Sequence, residues 1–227
     1  MTDLAPAPAS TVILLRDAAP IAGRSSATEV FMVRRHEQLA FMGGAHVFPG
    51  GRVEDADKGA DDPDGFRTAA LRELFEEGGV LLATTADGRA LSFADPATGR
   101  RFAEHRHAVL ERPDAFRAVL GSERLVADFG ALVLVAEWVT PPRMSRRFDT
   151  RFFAARAPES QDALHDHGET IDSFWIAPAD AIARADAKSI DLPPPTRHTL
   201  LELSGLGGVD AALAWYRART PPRFEPR

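Results

Sequence analysis

The apolar residues of this chain gather mostly in short runs of four or five, many of them β-branched, between turn-forming stretches, a pattern that predicts strands. Thr11-Val12-Ile13-Leu14-Leu15 and Val30-Phe31-Met32-Val33 read as two such strands, separated by the turn-rich residues Ala22 to Ser26. His46-Val47-Phe48, set among the glycines and proline of residues 43–51, reads as a short strand running into a tight glycine turn. Residues 54–64 carry six acids and almost no apolar residue, which predicts an exposed loop. A helix is expected over about 63–77, with Asp62 as N-cap, Pro63 in its first position and Gly78-Gly79 as its stop.

In the charge-rich stretch 101–127, Phe102, Val109, Phe116, Val119 and Leu120 recur at helical spacing, so one or two helices should lie over the core as an insertion. Residues 131–135 and 150–155 predict two further strands flanking a Pro- and Arg-rich turn at 141–147. Ser173-Phe174-Trp175-Ile176 predicts a last strand and Pro178–Ala187 a helix. Two helical segments split at Gly205 to Gly208 follow within a C-terminal extension over about 188–227. This order implies an α+β domain of α/β/α layers with a mixed central sheet. The Ala/Pro-rich residues 1–10 are expected to form a flexible leader, and residues 11–227 a single domain.

Composition narrows the chemistry. With no cysteine among 227 residues there is no disulfide and no thiolate site, so a metal would need oxygen or imidazole ligands. The net charge of -6 argues against non-specific nucleic-acid binding. No stretch has the length of a membrane span or the pattern of a signal peptide, and a cytoplasmic location is the expectation. Exposed strand edges or the terminal helices could pair two copies as a homodimer; the sequence does not decide this.

Chemistry concentrates on the predicted helix at 63–77. Glu73, Glu76 and Glu77 share one face at helical spacing, while Leu71, Leu74, Phe75 and Gly78 take the other. Three carboxylates projecting together repel one another unless cations sit between them, and hard oxygen donors suit Mg²⁺ or Mn²⁺. Arg72 is placed to pair with Glu76 at i+4, and the Pro49-Gly50-Gly51 turn can bring bare backbone close to a metal or a phosphate.

Gly51 followed by Arg72-Glu73-Leu74-x-Glu76-Glu77-x-Gly79-Val80 resembles the Nudix box, Gly-x5-Glu-x7-Arg-Glu-U-x-Glu-Glu-x-Gly-U with U aliphatic, over residues 50–80. From Arg72 onward the match is complete. In front, seven residues are inserted between Gly51 and Arg72, and the usual early Glu is missing; counted back from Arg72, its counterpart is Asp64. The resemblance implies metal-dependent hydrolysis of a nucleoside diphosphate linked to another moiety. It makes Glu73, Glu77 and Glu76 metal ligands beside Gly51, with Glu76 also able to orient water and Arg72 holding a carboxylate. Enzymes of this family often take a further base from a distant loop, for which Glu169 is the candidate; His165 and His167 nearby read as ordinary loop residues.

Arg34, Arg35 and Arg147, with Gly50, are candidates for binding the substrate's phosphates, and Arg143, Arg146 and Arg151 lie in the same arginine-rich segment. The long gap in the box, Phe48-Pro49-Gly50-Gly51 and the stretch Arg147 to Phe153 look similar to the group that includes coenzyme-A diphosphatases. The fuller signature of that group upstream of the glycines is absent. ADP-ribose, NADH and dinucleoside polyphosphates remain alternatives, as does a Nudix-fold module that binds a nucleotide without turnover. The Asp-rich residues 55–62 are expected to be a solvated and dispensable loop.

Overall fold

The computed structural model describes residues 5–18, 28–38, 42–166 and 168–225; the predicted turn at 22–26 and His167 lie outside them. Strand β1 (Ala7–Asp17) is the spine of the sheet. Its side chains alternate between two cores, Val12 and Leu14 facing one and Ile13 and Leu15 the other, which explains an unbroken apolar run. Residues 7–10, expected in a leader, belong to this strand: they pair in parallel with β8 (Phe148–Arg156), and the buried Ser10 hydroxyl donates to the carbonyl of Phe66 at 2.6 Å. Small side chains allow that close approach, and pairing with a distant strand overrides the loop-like composition.

The other strands are β2 (Thr28–Arg35), β3 (His46–Val47), β4 (Gly50–Arg52), β5 (Ala83–Thr85), β6 (Leu125–Ala127), β7 (Val133–Val139), β9 (Thr170–Ile176) and β10 (Arg223–Phe224). The main sheet runs β10-β7-β8-β1-β2-β3, with β4 also on β1 and β9 on β2, and it is mixed: β1 is parallel to β8 and antiparallel to β2 and β4. Along one edge of β1, β4 takes Ala9 to Thr11 and β2 takes Leu15 to Asp17, so the sheet forks between them.

Helix α1 (Phe66–Gly78) packs on β1 and β4 beside this fork. It starts three residues later than predicted, with Gly65 as N-cap, because Asp62 folds underneath: its carboxylate accepts from the Thr68 N–H at 2.8 Å and the Thr68 hydroxyl at 3.0 Å. Gly79 ends the helix as expected, in a left-handed conformation (φ 70°) that L side chains avoid.

Helices α2 (Pro96–Glu111) and α3 (Ala115–Ser122) form the insertion over α1, and Asp95 caps α2 by accepting from the N–H groups of Ala97 and Thr98. Residues 125–127, expected as helix, pair with β5 instead. Helices α4 (Pro178–Asp186), α5 (Pro194–Ser204) and α6 (Val209–Ala218) supply the other outer layer. The extension then returns as β10, parallel to β7, with Phe224 stacked on Trp138 at 4.0 Å. Among the described residues no helix is long and apolar enough to cross a membrane.

Candidate active site

An amphipathic helix would show its acids to water. In α1 the glycines of β4 lie against them, and Glu73, Glu76 and Glu77 are only 9%, 9% and 4% exposed. Arg72, 1% exposed, is the hub of this buried charge. Its Nη1 donates to Glu73 at 2.8 Å and to Glu76 at 3.1 Å, the latter being the predicted i+4 pair. Its Nη2 also donates to the carbonyl of Arg52 at 2.8 Å, tying helix to β4.

The remaining partner of Arg72 is one the sequence reading placed in an exposed loop. Asp57 is 1% exposed and grips Arg72 bidentately, Nε to Oδ1 at 2.9 Å and Nη2 to Oδ2 at 3.0 Å. Asp57 is the sixth residue after Gly51, which is where the pattern Gly-x5-Glu puts its early acid, so the seven extra residues lie after this acid and not before it. Asp64, taken as the counterpart by counting back from Arg72, points outward to Arg151 at 2.7 Å. Counting forward from Gly51 would have found Asp57. The 55–62 loop, expected to be solvated, is not so throughout: Asp57 and Asp62 are both buried and engaged.

The glycine turn lies against the carboxylate face of the helix. Gly50 N–H donates to Glu77 Oε2 at 3.0 Å. A Cβ on Gly51 would sit 2.4 Å from Glu73 Oε1, so only glycine lets that carboxylate lie against the turn. Arg35 comes across the fork from β2, with Nη1 3.9 Å from Glu77 Oε1 and its buried Nε without a hydrogen-bond partner among the described residues. Arg34 is paired with Glu37 at 2.6 Å, and Arg147 donates to the carbonyl of Thr140 at 3.2 Å. Glu169 is exposed in the loop before β9, where Asp166 accepts from its N–H at 3.0 Å, and its charge is felt by all three helix glutamates. His165 is engaged with Ser173, 2.9 Å from its hydroxyl. Arg106 of α2, absent from the sequence reading, donates to the carbonyls of Glu76 at 2.8 Å and Leu164 at 2.9 Å; nothing local in the sequence marks it.

Burial pushes the Glu73 carboxyl up to about 8, against the opposing pull of Arg72. Burial raises Glu76 as well, again opposed by Arg72. Glu77 is raised well above its ordinary value, by burial and then by the charge of Glu73, with Arg35 and the Gly50 N–H pulling the other way. Burial alone would lower the Arg72 guanidinium, but the hydrogen bonds it donates to Asp57 and the charges of Glu73 and Glu76 hold it above its ordinary value.

Four buried acids thus face Arg72 and, more distantly, Arg35, leaving an excess of negative charge that suits a divalent cation. Among the described residues no three acidic or histidine side chains converge on one point as a finished cage. Mg²⁺ fits such a set, because it habitually takes one or two carboxylates and completes its shell with water and substrate phosphates.

The layered fold, the fork and the buried Arg–Glu helix define the architecture of a Nudix domain. A crystal structure of a Nudix hydrolase from Alicyclobacillus acidocaldarius superposes with a TM-score of 0.79 at 26% identity, covering 92% of this chain and 96% of that one. Two curated relatives are the acyl-coenzyme A diphosphatase NUDT19 proteins of Gallus gallus and Homo sapiens. Each is 28% identical, over 80% and 79% of this chain and 62% and 61% of theirs. The chain therefore spans about three fifths of the length of these relatives. The sequence model of the NUDT19 Nudix domain matches residues 60–203, and the chain belongs to that branch of the Nudix family.

Proposed function

We propose that this protein is a metal-dependent diphosphatase that cleaves coenzyme A or acyl-coenzyme A within its diphosphate. The observation that carries the reading is the buried excess of carboxylate on α1, set against the bare Gly50-Gly51 turn; the NUDT19 relatives supply the substrate class. Glu73 and Glu77 would hold the cation, Mg²⁺ or Mn²⁺, with Glu76 as a further ligand or water-orienting group and the backbone at Gly51 close by. When bound, that ion neutralises the diphosphate, lowers the pKa of a coordinated water and stabilises charge on the leaving oxygen.

The residues of the chain divide the remaining work. Arg72 orients Glu73 and Glu76 from below. The Gly50 N–H fixes one oxygen of Glu77. Arg35, with donor capacity to spare at the fork, takes a phosphate oxygen, and Arg34 and Arg147 serve the outer phosphates once released from their present partners. Glu169, exposed and facing the cluster, accepts the proton of the attacking water. Water then bonds to one phosphorus as the bridging P–O bond breaks, and two phosphomonoesters leave.

Purified protein with Mg²⁺ or Mn²⁺ is to be incubated with coenzyme A, an acyl-coenzyme A, ADP-ribose, NADH and diadenosine polyphosphates, with products separated by chromatography. Release of adenosine 3′,5′-bisphosphate from the coenzyme A compounds, at the highest kcat/KM of the panel, is the expected result. Preference for another member would overturn the substrate, and no turnover of any member would leave a nucleotide-binding module.

A further inference from the structure

Helix α3 lies outside the carboxylate helix, yet one of its side chains is built into the turn that carries Asp57. Arg117 donates from Nη2 to the Asp57 carbonyl at 2.8 Å and to the Thr68 hydroxyl at 3.2 Å. From Nε it reaches the Ala56 carbonyl at 3.2 Å, and from Nη1 the Asp61 carboxylate at 3.2 Å. One planar guanidinium therefore fastens the peptide groups on both sides of Asp57, the lengthened segment after it and the first turn of α1.

On its other side Asp57 holds Arg72 with both carboxylate oxygens, and Oδ2 also accepts from the Glu54 N–H at 2.8 Å. Arg72 passes the constraint on to Glu73 and Glu76. An aspartate is one methylene shorter than a glutamate, so its two-point grip on Arg72 survives only if its own backbone is held close. The seven-residue lengthening that follows Asp57 adds closure entropy and works against that closeness. Arg117 is the group bound to the carbonyl at this point.

We infer that Arg117 is a positioning residue of this active site, acting through Asp57 and Arg72 to set the placement of the two carboxylates Glu73 and Glu76. The inference rests on the metal-site reading given above and adds to it a dependence on the α2–α3 insertion, which touches none of the three helix glutamates through Arg117 itself.

The test uses Mn²⁺ binding to the full chain, followed by electron paramagnetic resonance of the free ion, alongside kcat and KM for an acyl-coenzyme A. Arg117→Ala should weaken Mn²⁺ binding by about ten-fold or more, the scale on which outer partners of metal ligands act, and lower kcat with KM little changed. Arg117→Lys, which keeps the charge and loses the fork, replaces it if the alanine variant does not fold. Adding Asp57→Glu to Arg117→Ala should recover Mn²⁺ affinity, because the longer side chain regains the reach to Arg72.

A lowered melting temperature with wild-type Mn²⁺ affinity would overturn the inference, reducing Arg117 to a packing role. Weakened affinity with no recovery in the double variant would overturn it as well, since the effect would then be a general loosening. If the wild-type chain itself bound no Mn²⁺, the reading of the site would fall, and this inference with it.

Discussion

Glu77 carries two opposed demands. It is buried with Arg35 no nearer than 3.9 Å, which costs stability, and it is held by the Gly50 N–H, which aims it at the turn. Glu77→Gln keeps the shape and removes the charge. It should lower kcat by about 10²-fold or more, as expected for losing a metal ligand, while the metal-free protein melts no lower than wild type. Activity within a few-fold of wild type would remove Glu77 from the metal site. At this scale the sequence was legible where partners are helical neighbours: Arg72 and Glu76 are four apart, and their contact follows from helix geometry alone. Asp57 was legible as the early acid only by counting forward from Gly51, and its grip on Arg72, 15 residues on, was not, because that contact depends on where the chain spends its extra length.

At the scale of elements, the start of α1 is set by a residue outside it. Asp62, predicted as the N-cap, instead lies buried beneath the first turn and satisfies the Thr68 N–H and hydroxyl, with Arg67 against its other oxygen at 3.2 Å. Asp62→Ala should cost about 1–2 kcal/mol, the worth of a helix cap, measured by urea unfolding. A loss near zero would mean that water takes over those donors. The chemistry of Asp62 was readable from its type. Its position was not, because Pro63, Asp64 and Gly65 turn before the helix begins, and contacts from distant residues, such as the Ser10 hydroxyl donating to the Phe66 carbonyl, fix where that is.

Across the whole molecule, burying acids makes stability depend on both pH and metal. The Glu73 carboxyl is raised from 4.5 to about 8 in the folded, metal-free protein, so the folded state holds its proton more tightly than the unfolded one. Its contribution to stability is fully present below about pH 4.5 and is lost as the pH rises toward about 8. A divalent cation binds the deprotonated acids and stabilises the folded chain by mass action, so it offsets this loss. Melting temperatures in chelator and in excess Mg²⁺ should therefore differ more at pH 8 than at pH 5.5. An equal or reversed difference would contradict the placement of the cation among these carboxylates.

The linear chain carried the periodic information: the apolar runs of β1 and β2, the helical spacing of Glu73, Glu76 and Glu77, and the glycines at 50, 51 and 79 where side chains do not fit. These follow from local geometry, with periods of two and 3.6 residues and the sterics of a Cβ. The tertiary structure decided what depends on closure of the chain. It put the leader-like Ala7 to Ser10 inside the sheet, drew Asp57 from an acidic loop into the core, and brought Arg35, Arg106 and Arg117 to α1 from three other elements. A charged residue is buried only when its partner arrives, and the arrival of a partner tens of residues away is a property of the fold and not of the residues that flank it.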